Sequence, residues 1–361
     1  MELGRSIATA GSPGASTPDR SRLRSAERGD PHQPAPAVLA RAFRGPVEEG
    51  VIRGHIAVVD GHGRLVAWAG NPHAITTLRS SFKPFQATSF VESGTADALG
   101  LGEASIAIAG ASHHGEPAHL KVVLAILEAA HLPESALRCG VHLPSDPVAA
   151  SQLLSRGEPP TAIHNNCSGK HAAMLAVCAR RGWSLESYLE RHHPLQEEIA
   201  TRLGRAAGLD PATIPFGTDG CGLPTFGLAV EDFARALSHA AVTDPSFRRC
   251  LAAMADHPFL VAGTNAFDTV LMESEGASLV VKSGAAGILA GIARDGSRAV
   301  VVKLESGSAM GMAQIAARAF ELVGLLGQPL APQLAAYLAD PVRNWVGLAV
   351  GEIRPEFELS S

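Results

Sequence analysis

The stretch "RSSFKPFQA" at residues 79–87 sets Ser80 three residues ahead of Lys83. The chain's 30 basic residues are 25 arginines and five lysines: Lys83, Lys121, Lys170, Lys282 and Lys303. Arginine serves surface charge but keeps its proton at any physiological pH, whereas a desolvated lysine can lose it and act as a base or a ligand. If residue 80 opens a helix, Ser80 and Lys83 share one face, since i and i+3 are neighbours. A neutral lysine there could take the serine proton, and the serine could attack a carbonyl. Chance alone gives about 0.4 such Ser-x-x-Lys spacings in a chain of this composition, and Ser80 as a simple helix cap fits the spacing equally well. Lys121, inside an amphipathic pattern, reads as a solvated lysine. Lys83, Lys170 and Lys282 lie among Ser, Gly and Cys at the ends of elements.

Further stretches add chemistry. "ASHHGE" (111–116) offers Ser112 beside His113 and His114, and "KSG" (282–284) closes a strand pattern. Ser-x-x-Lys followed far downstream by Lys-Ser/Thr-Gly on a terminal strand is the order of serine β-lactamases and penicillin-binding proteins. "HNNCSGKHAAML" (164–175) puts Cys167, Lys170 and His171 on one side of a helix start, and "TDGCGLP" (218–224) puts Cys221 in a Gly-rich turn. Two thiolates with a third, nitrogen ligand would suit zinc and leave a position open. Cys167 as a small buried residue and the glycines as plain turn formers are the competing reading. Arg79 could meet a substrate carboxylate, hold Lys83 neutral by repulsion, or form a structural ion pair.

The elements that must position these groups are legible in part. "VIRGHIAVVD" and "RLVAWAG" read as strands joined through Asp60-Gly61-His62-Gly63. "KPFQATSFVESG", "HLKVVLAILEAAH", "GKHAAMLAVCARRG", "PLQEEIATRLGRAAG" and "VEDFARALSHAA" read as helices, several closed by Gly. Strands return over 278–304, with a hairpin at Asp295-Gly296, and a last helix follows over about 307–326. Strands at both ends with helices between them predict an α+β fold, one antiparallel sheet (about 51–70 and 278–304) beside a helical lobe (about 80–260). Residues 1–36, rich in Ser, Pro, Gly and Arg, are expected to be a disordered tail, leaving 37–361 as a single catalytic domain.

Composition excludes several classes. Apolar residues are 46% and aromatics 5%, so Ala, Val and Leu must build the core. A net charge of −5, with no basic stretch in the folded part, argues against nucleic acid. No apolar run approaches the roughly 20 residues a bilayer helix requires, and the first residues lack the apolar core of a secretion signal. Five cysteines without CxxC spacing fit free thiols in a reducing cytoplasm.

Taken in order, "RSSFKPFQA", "ASHHGEPAHL", "HNNCSGKHAAML", "TDGCGLPTF" and "KSGAAG" resemble the rhizobial-type L-asparaginases, the bacterial asparaginase II family, over about residues 50–330. The resemblance implies a serine β-lactamase-like fold, a homodimer and hydrolysis of L-asparagine. It implies two serine–lysine pairs: Ser80 as nucleophile with Lys83 as its base, and Ser112 with Lys282 as a proton relay, Lys303 being the fallback for the distal lysine. It further implies zinc held by Cys167, Lys170 and Cys221, with Asp219 and His171 supporting the ligands. Arg79, His113 and Asp219 are its substrate-binding candidates. The chain departs from the family at Ala286, where relatives often carry Glu, so affinity or selectivity can differ here. Three rival readings are a penicillin-recognising acyl-enzyme, a hydrolase in which zinc is the catalyst and Ser80 a helix cap, and a non-catalytic, zinc-containing amino-acid-binding protein.

Overall fold

"GILAGIA", apolar throughout, suits a strand covered on both faces, and Ile288–Ala293 is a strand buried at every position. In the computed structural model, which describes residues 34–276 and 278–361, this strand lies near one end of a large antiparallel sheet. The strands are β1 (Ala37–Arg44), β2 (Val47–Asp60), β3 (Leu65–Ala69), β4 (Ile75–Thr77), β5 (Phe216–Thr218), β6 (Pro224–Ala229), β7 (Leu279–Gly284), β8 (Ile288–Ala293), β9 (Arg298–Leu304), β10 (Val342–Arg343) and β11 (Ala349–Pro355). The order in the large sheet is β10-β11-β1-β2-β9-β8-β7, and β3 pairs with β2. A second, small sheet runs β4-β6-β5. Residues 34–361 group as one compact unit; the expected tail lies, but for its last three residues, outside the described residues.

The α+β reading therefore holds, with the central strands joined as the pattern predicts. Asp60 accepts the amides of His62 and Arg64 and closes the β2–β3 hairpin. Gly296, at φ 76°, supplies the left-handed residue that the β8–β9 turn requires. One face of the sheet takes the helix Met312–Leu322. Gly291 has no side chain because the Phe320 ring lies where a Cβ would stand. The other face meets the helix Val230–Thr243, whose Ser238 hydroxyl binds the carbonyls of both hairpin turns, Asp60 and Gly296.

The helical lobe contains Lys83–Glu92, Pro117–Ala129, Ser168–Arg181, Pro194–Ala207 and Val230–Thr243 at the predicted places. Lys83–Glu92 is buried from Lys83 to Val91, as befits a helix through the middle of the lobe. The last predicted helix is shorter, Met312–Leu322, and the chain beyond it adds Pro332–Leu338 and the β10–β11 hairpin, for which the sequence pattern made no provision. β1 is likewise absent from the expected sheet. It lies between β11 and β2, so the sheet extends two strands past the expected edge before β10. No helix among the described residues is long and apolar enough to cross a membrane.

Candidate active site

Arg79–Phe82 is a single 3-10 turn, and the helix Lys83–Glu92 begins directly after it. The Lys83 amide donates to the Ser80 carbonyl, so the two residues stand one turn apart as their spacing predicts. β7 presses against this turn. A Cβ built on Gly284 would stand 3.0 Å from the Ser81 amide nitrogen and 3.3 Å from that of Ser80. Glycine thus sets how closely the KSG strand approaches the serine. Gly284→Ala is expected to push the two elements apart and lower turnover roughly 10–100-fold with little loss of fold, read from steady-state rates beside a thermal melt.

Lys83 is completely buried. Its Nζ donates to the Ala111 carbonyl at 2.5 Å and the Ser112 Oγ at 2.9 Å, with the Asn166 carbonyl at 3.4 Å. Burial, with the neighbouring Lys170 charge adding to it, pulls its pKa below the ordinary lysine value against the opposing pull of Cys167 and Cys221. Among the described residues the Ser80 hydroxyl makes no hydrogen bond. The amine of Lys83 thus holds the hydroxyl of Ser112, the serine expected beside Lys282.

Lys282 is also buried. Its Nζ donates to the Ser283 carbonyl at 2.7 Å and stands 3.6 Å from Asp268 Oδ2. Burial lowers its pKa to about 8, opposed by the Asp268 carboxylate and aided by the Lys83 charge. The two lysines are therefore electrostatic neighbours. Lys303, the fallback, is tied to the carbonyls of Ala286 and Leu304 at 2.7 and 2.6 Å. Ala286 itself adopts a left-handed φ of 61°.

Cys167, Lys170 and Cys221 come together as expected. The helix Ser168–Arg181 starts directly after Cys167 and carries Lys170 on its first turn, while Cys221 comes from the β5–β6 turn. Lys170 Nζ is 3.4 Å from Cys221 Sγ. A hydrogen bond from the Cys221 thiol, with the cations Lys83 and Lys170 nearby, holds Cys167 well below the usual thiol range, while the same bond and burial push Cys221 up. Burial opposes the charge of Lys170, but Cys221, Cys167 and Asp219 outweigh it and raise its pKa. Among the described residues no group of three His, Cys, Asp or Glu is arranged to hold a metal. A metal here would therefore need the lysine as its third protein ligand. Two sulfurs and one nitrogen, all buried and converging, fit a soft tetrahedral cation with one open position.

Arg79 resolves to an ion pair. Its Nε donates to Asp219 Oδ1 at 2.8 Å, and its amide donates to Thr225 Oγ1 at 3.1 Å. Its φ of 46° is a left-handed conformation that a non-glycine residue adopts at a cost of about 1–3 kcal/mol, here immediately before Ser80. Burial works against the charge of Asp219, but Lys170, the Gly220 amide and Arg79 hold its pKa below the usual carboxylate range. Asp219 therefore links the serine turn to the cysteine cluster. His113 is placed beneath Ser112 with both ring nitrogens engaged: Nε2 donates to Ser168 Oγ at 2.9 Å, and Nδ1 accepts from the Gly115 amide. Burial, then His119 stacked on it, keeps it neutral. His171 Nδ1 meets the Tyr188 hydroxyl at 2.7 Å, and its Nε2 is buried without a hydrogen-bond partner among the described residues.

Sequence reasoning missed Asp268, Ser283, Asn166 and Thr225. Asp268, in the first turn of the helix Phe267–Ser274, is almost wholly buried and accepts both the amide (2.8 Å) and the hydroxyl of Ser283. An acid in a first helical turn ordinarily satisfies the helix dipole, so its sequence context hid it.

Similarity to known proteins agrees with part of this picture. Solved structures that match include a β-lactamase from Mycobacterium bovis (14% identity over 74% of this chain and 94% of that one, TM-score 0.41). Mglu in its native form also matches (16% identity, 77% of this chain and 66% of that one, TM-score 0.35), as does Mglu in its glutamate form (16%, 76% and 61%, TM-score 0.35). At such TM-scores these likenesses carry no argument. No curated protein matches the chain. The L-asparaginase II family matches over residues 40–355, a span that holds the Ser80 turn, the buried Lys83, Lys170 and Lys282 and the cysteine cluster, and the chain belongs to that family.

Proposed function

We propose that the chain hydrolyses L-asparagine to L-aspartate and ammonia through an acyl-enzyme on Ser80, in a serine β-lactamase-like scaffold. The observation that carries this reading is Lys83: a buried amine, hydrogen-bonded to Ser112, one turn from an unbonded serine hydroxyl in an L-asparaginase II chain. Ser80 Oγ attacks the side-chain amide carbon, and its proton passes to the Lys83 amine. Ser112, already bonded to that amine, relays protons between Lys83 and Lys282. The amide of Ser80, close to Gly284, supplies a donor for the developing oxyanion, worth roughly 3–4 kcal/mol, while the Ser81 amide is already held by the Leu78 carbonyl. Water then releases L-aspartate by the reverse proton path. Arg79 and Asp219 form the wall of the substrate site nearest the cysteines, and His113 supports Ser112 from below.

The test is release of ammonia and L-aspartate from L-asparagine by the full chain, with L-glutamine in parallel. Saturable turnover of asparagine supports the reading. Binding of asparagine without turnover overturns it in favour of an amino-acid-binding protein, and hydrolysis of β-lactams in preference to asparagine favours a penicillin-recognising enzyme.

Cys167, Lys170 and Cys221 are the residues that would hold zinc. Bound there, zinc would orient and polarise the substrate. Elemental analysis of the purified chain is expected to give about one zinc per chain, and chelation to raise KM by roughly 10–100-fold with a smaller change in kcat. A metal-free preparation with unchanged KM would remove zinc from the scheme. A homodimer and a cytoplasmic location belong to the same reading, and sedimentation analysis tests the first.

A further inference from the structure

Both lysines beside the serine are buried, yet their surroundings differ. Lys83 donates to two carbonyls and a hydroxyl. Lys282 alone has a carboxylate beside it, and that carboxylate is fastened from three sides. Asp268 Oδ2 accepts the Ser283 amide at 2.8 Å and lies 3.6 Å from Lys282 Nζ, while Oδ1 accepts the Ser283 hydroxyl. Lys282 Nζ in turn donates to the Ser283 carbonyl. The end of β7 is thus tied to the start of the helix Phe267–Ser274, and the next residue, Gly284, is the one pressed on Ser80 and Ser81.

We propose that Asp268 is a positioning residue that holds Lys282 at the end of β7 as an ammonium and so makes it the proton donor to the leaving amide nitrogen. The inference rests on the acyl-enzyme reading above. In that step the Ser80 Oγ–C bond forms as the hydroxyl proton goes to the Lys83 amine. The C–N bond breaks with its electron pair on nitrogen, which takes a proton from the Lys282 ammonium and departs as ammonia. One proton then passes from Lys83 through the Ser112 hydroxyl to Lys282, restoring both. The charged or titratable groups facing Lys282 are Asp268 from the Phe267–Ser274 helix, Lys83 from the Lys83–Glu92 helix, and Cys167 before the Ser168–Arg181 helix. Its strand partner is Ala290. Asp268 is the group among them that favours the ammonium most.

The chain's five lysines make a direct test practical. Lysine labelled with 13C at Cε gives five side-chain signals, and the one missing in Lys282→Met is Lys282. Asp268→Asn is expected to move the Lys282 titration down by roughly one to three pH units from its wild-type position, itself expected below the ordinary lysine range. The alkaline limb of kcat should move with it. Lower kcat at every pH with both limbs in place would mean a merely structural role and overturn the proposal. Should Asp268→Asn not fold, Ser283→Ala decides. It removes a hydroxyl donor that shares the Asp268 charge, so the Lys282 titration should rise; an unmoved or lowered titration overturns the proposal. The spectroscopic arm needs no turnover, so it stands even if asparagine hydrolysis itself is not observed.

Discussion

Lys83→Met is expected to fold and yet lose at least about a thousandfold in ammonia release. General-base catalysis by a positioned group contributes roughly 10²–10⁴-fold, and here the base also activates the nucleophile. Stability should respond quite differently. A buried amine loses its hydration, and the substitution removes that cost while leaving the Ser112, Ala111 and Asn166 acceptors without their donor. Those effects oppose each other, so the net change should stay within about 2 kcal/mol at neutral pH. The sign with pH is definite. The folded pKa of Lys83 lies below the 10.5 of an ordinary lysine, so the unfolded chain binds more protons between the two values. The wild type therefore gains stability as pH rises through that window, and Lys83→Met should gain on it as pH falls. Lys83→Arg should be worse on both counts, because a larger and permanently charged group enters a filled site. Melting curves from about pH 6 to 10, beside rates at each pH, check this. An arginine variant with substantial activity would remove proton transfer from the role of residue 83.

Ser80→Ala is the second large effect, with turnover expected to fall roughly 10³–10⁶-fold, as for other covalent nucleophiles. Ser80 is half-buried and its hydroxyl makes no hydrogen bond among the described residues, so the fold should be little affected. The variant separates two mechanisms. If zinc hydroxide performed the hydrolysis and Ser80 merely opened the turn, activity would survive nearly intact. The structure gives Ser80 no capping bond: the 3-10 turn and the helix after it begin without a side-chain cap. A capping role would cost at most about 2 kcal/mol of stability and would leave the rate alone. Rapid-mixing measurement of a burst of ammonia in the wild type, absent in Ser80→Ala, is the decisive readout.

Sequence determined much of the site's membership. The scarcity of lysine singled out Lys83, Lys170 and Lys282, and all three are buried within one electrostatic neighbourhood with Cys167. Spacing fixed the Ser80–Lys83 turn, because i and i+3 are geometric neighbours whatever surrounds them. Periodicity likewise fixed β2, β3, β7, β8 and β9 and the principal helices, since burial of one face or both leaves a local imprint. β1, β10 and β11 left less of one. Arg–Glu pairs such as Arg41–Glu48, Arg41–Glu356 and Arg354–Glu352 lie on or beside β1 and β11 and dilute their apolar alternation.

Only the tertiary structure decided who pairs with whom. Lys83 hydrogen-bonds Ser112, 29 residues away, a partner that its local spacing to Ser80 does not indicate. Arg79 takes Asp219, 140 residues on, and Asp268 takes Ser283 across the junction of helix and strand. Local spacing fixes which residues share an element's face. Which charges meet is set by how the elements pack, since a buried charge must find a partner wherever packing provides one.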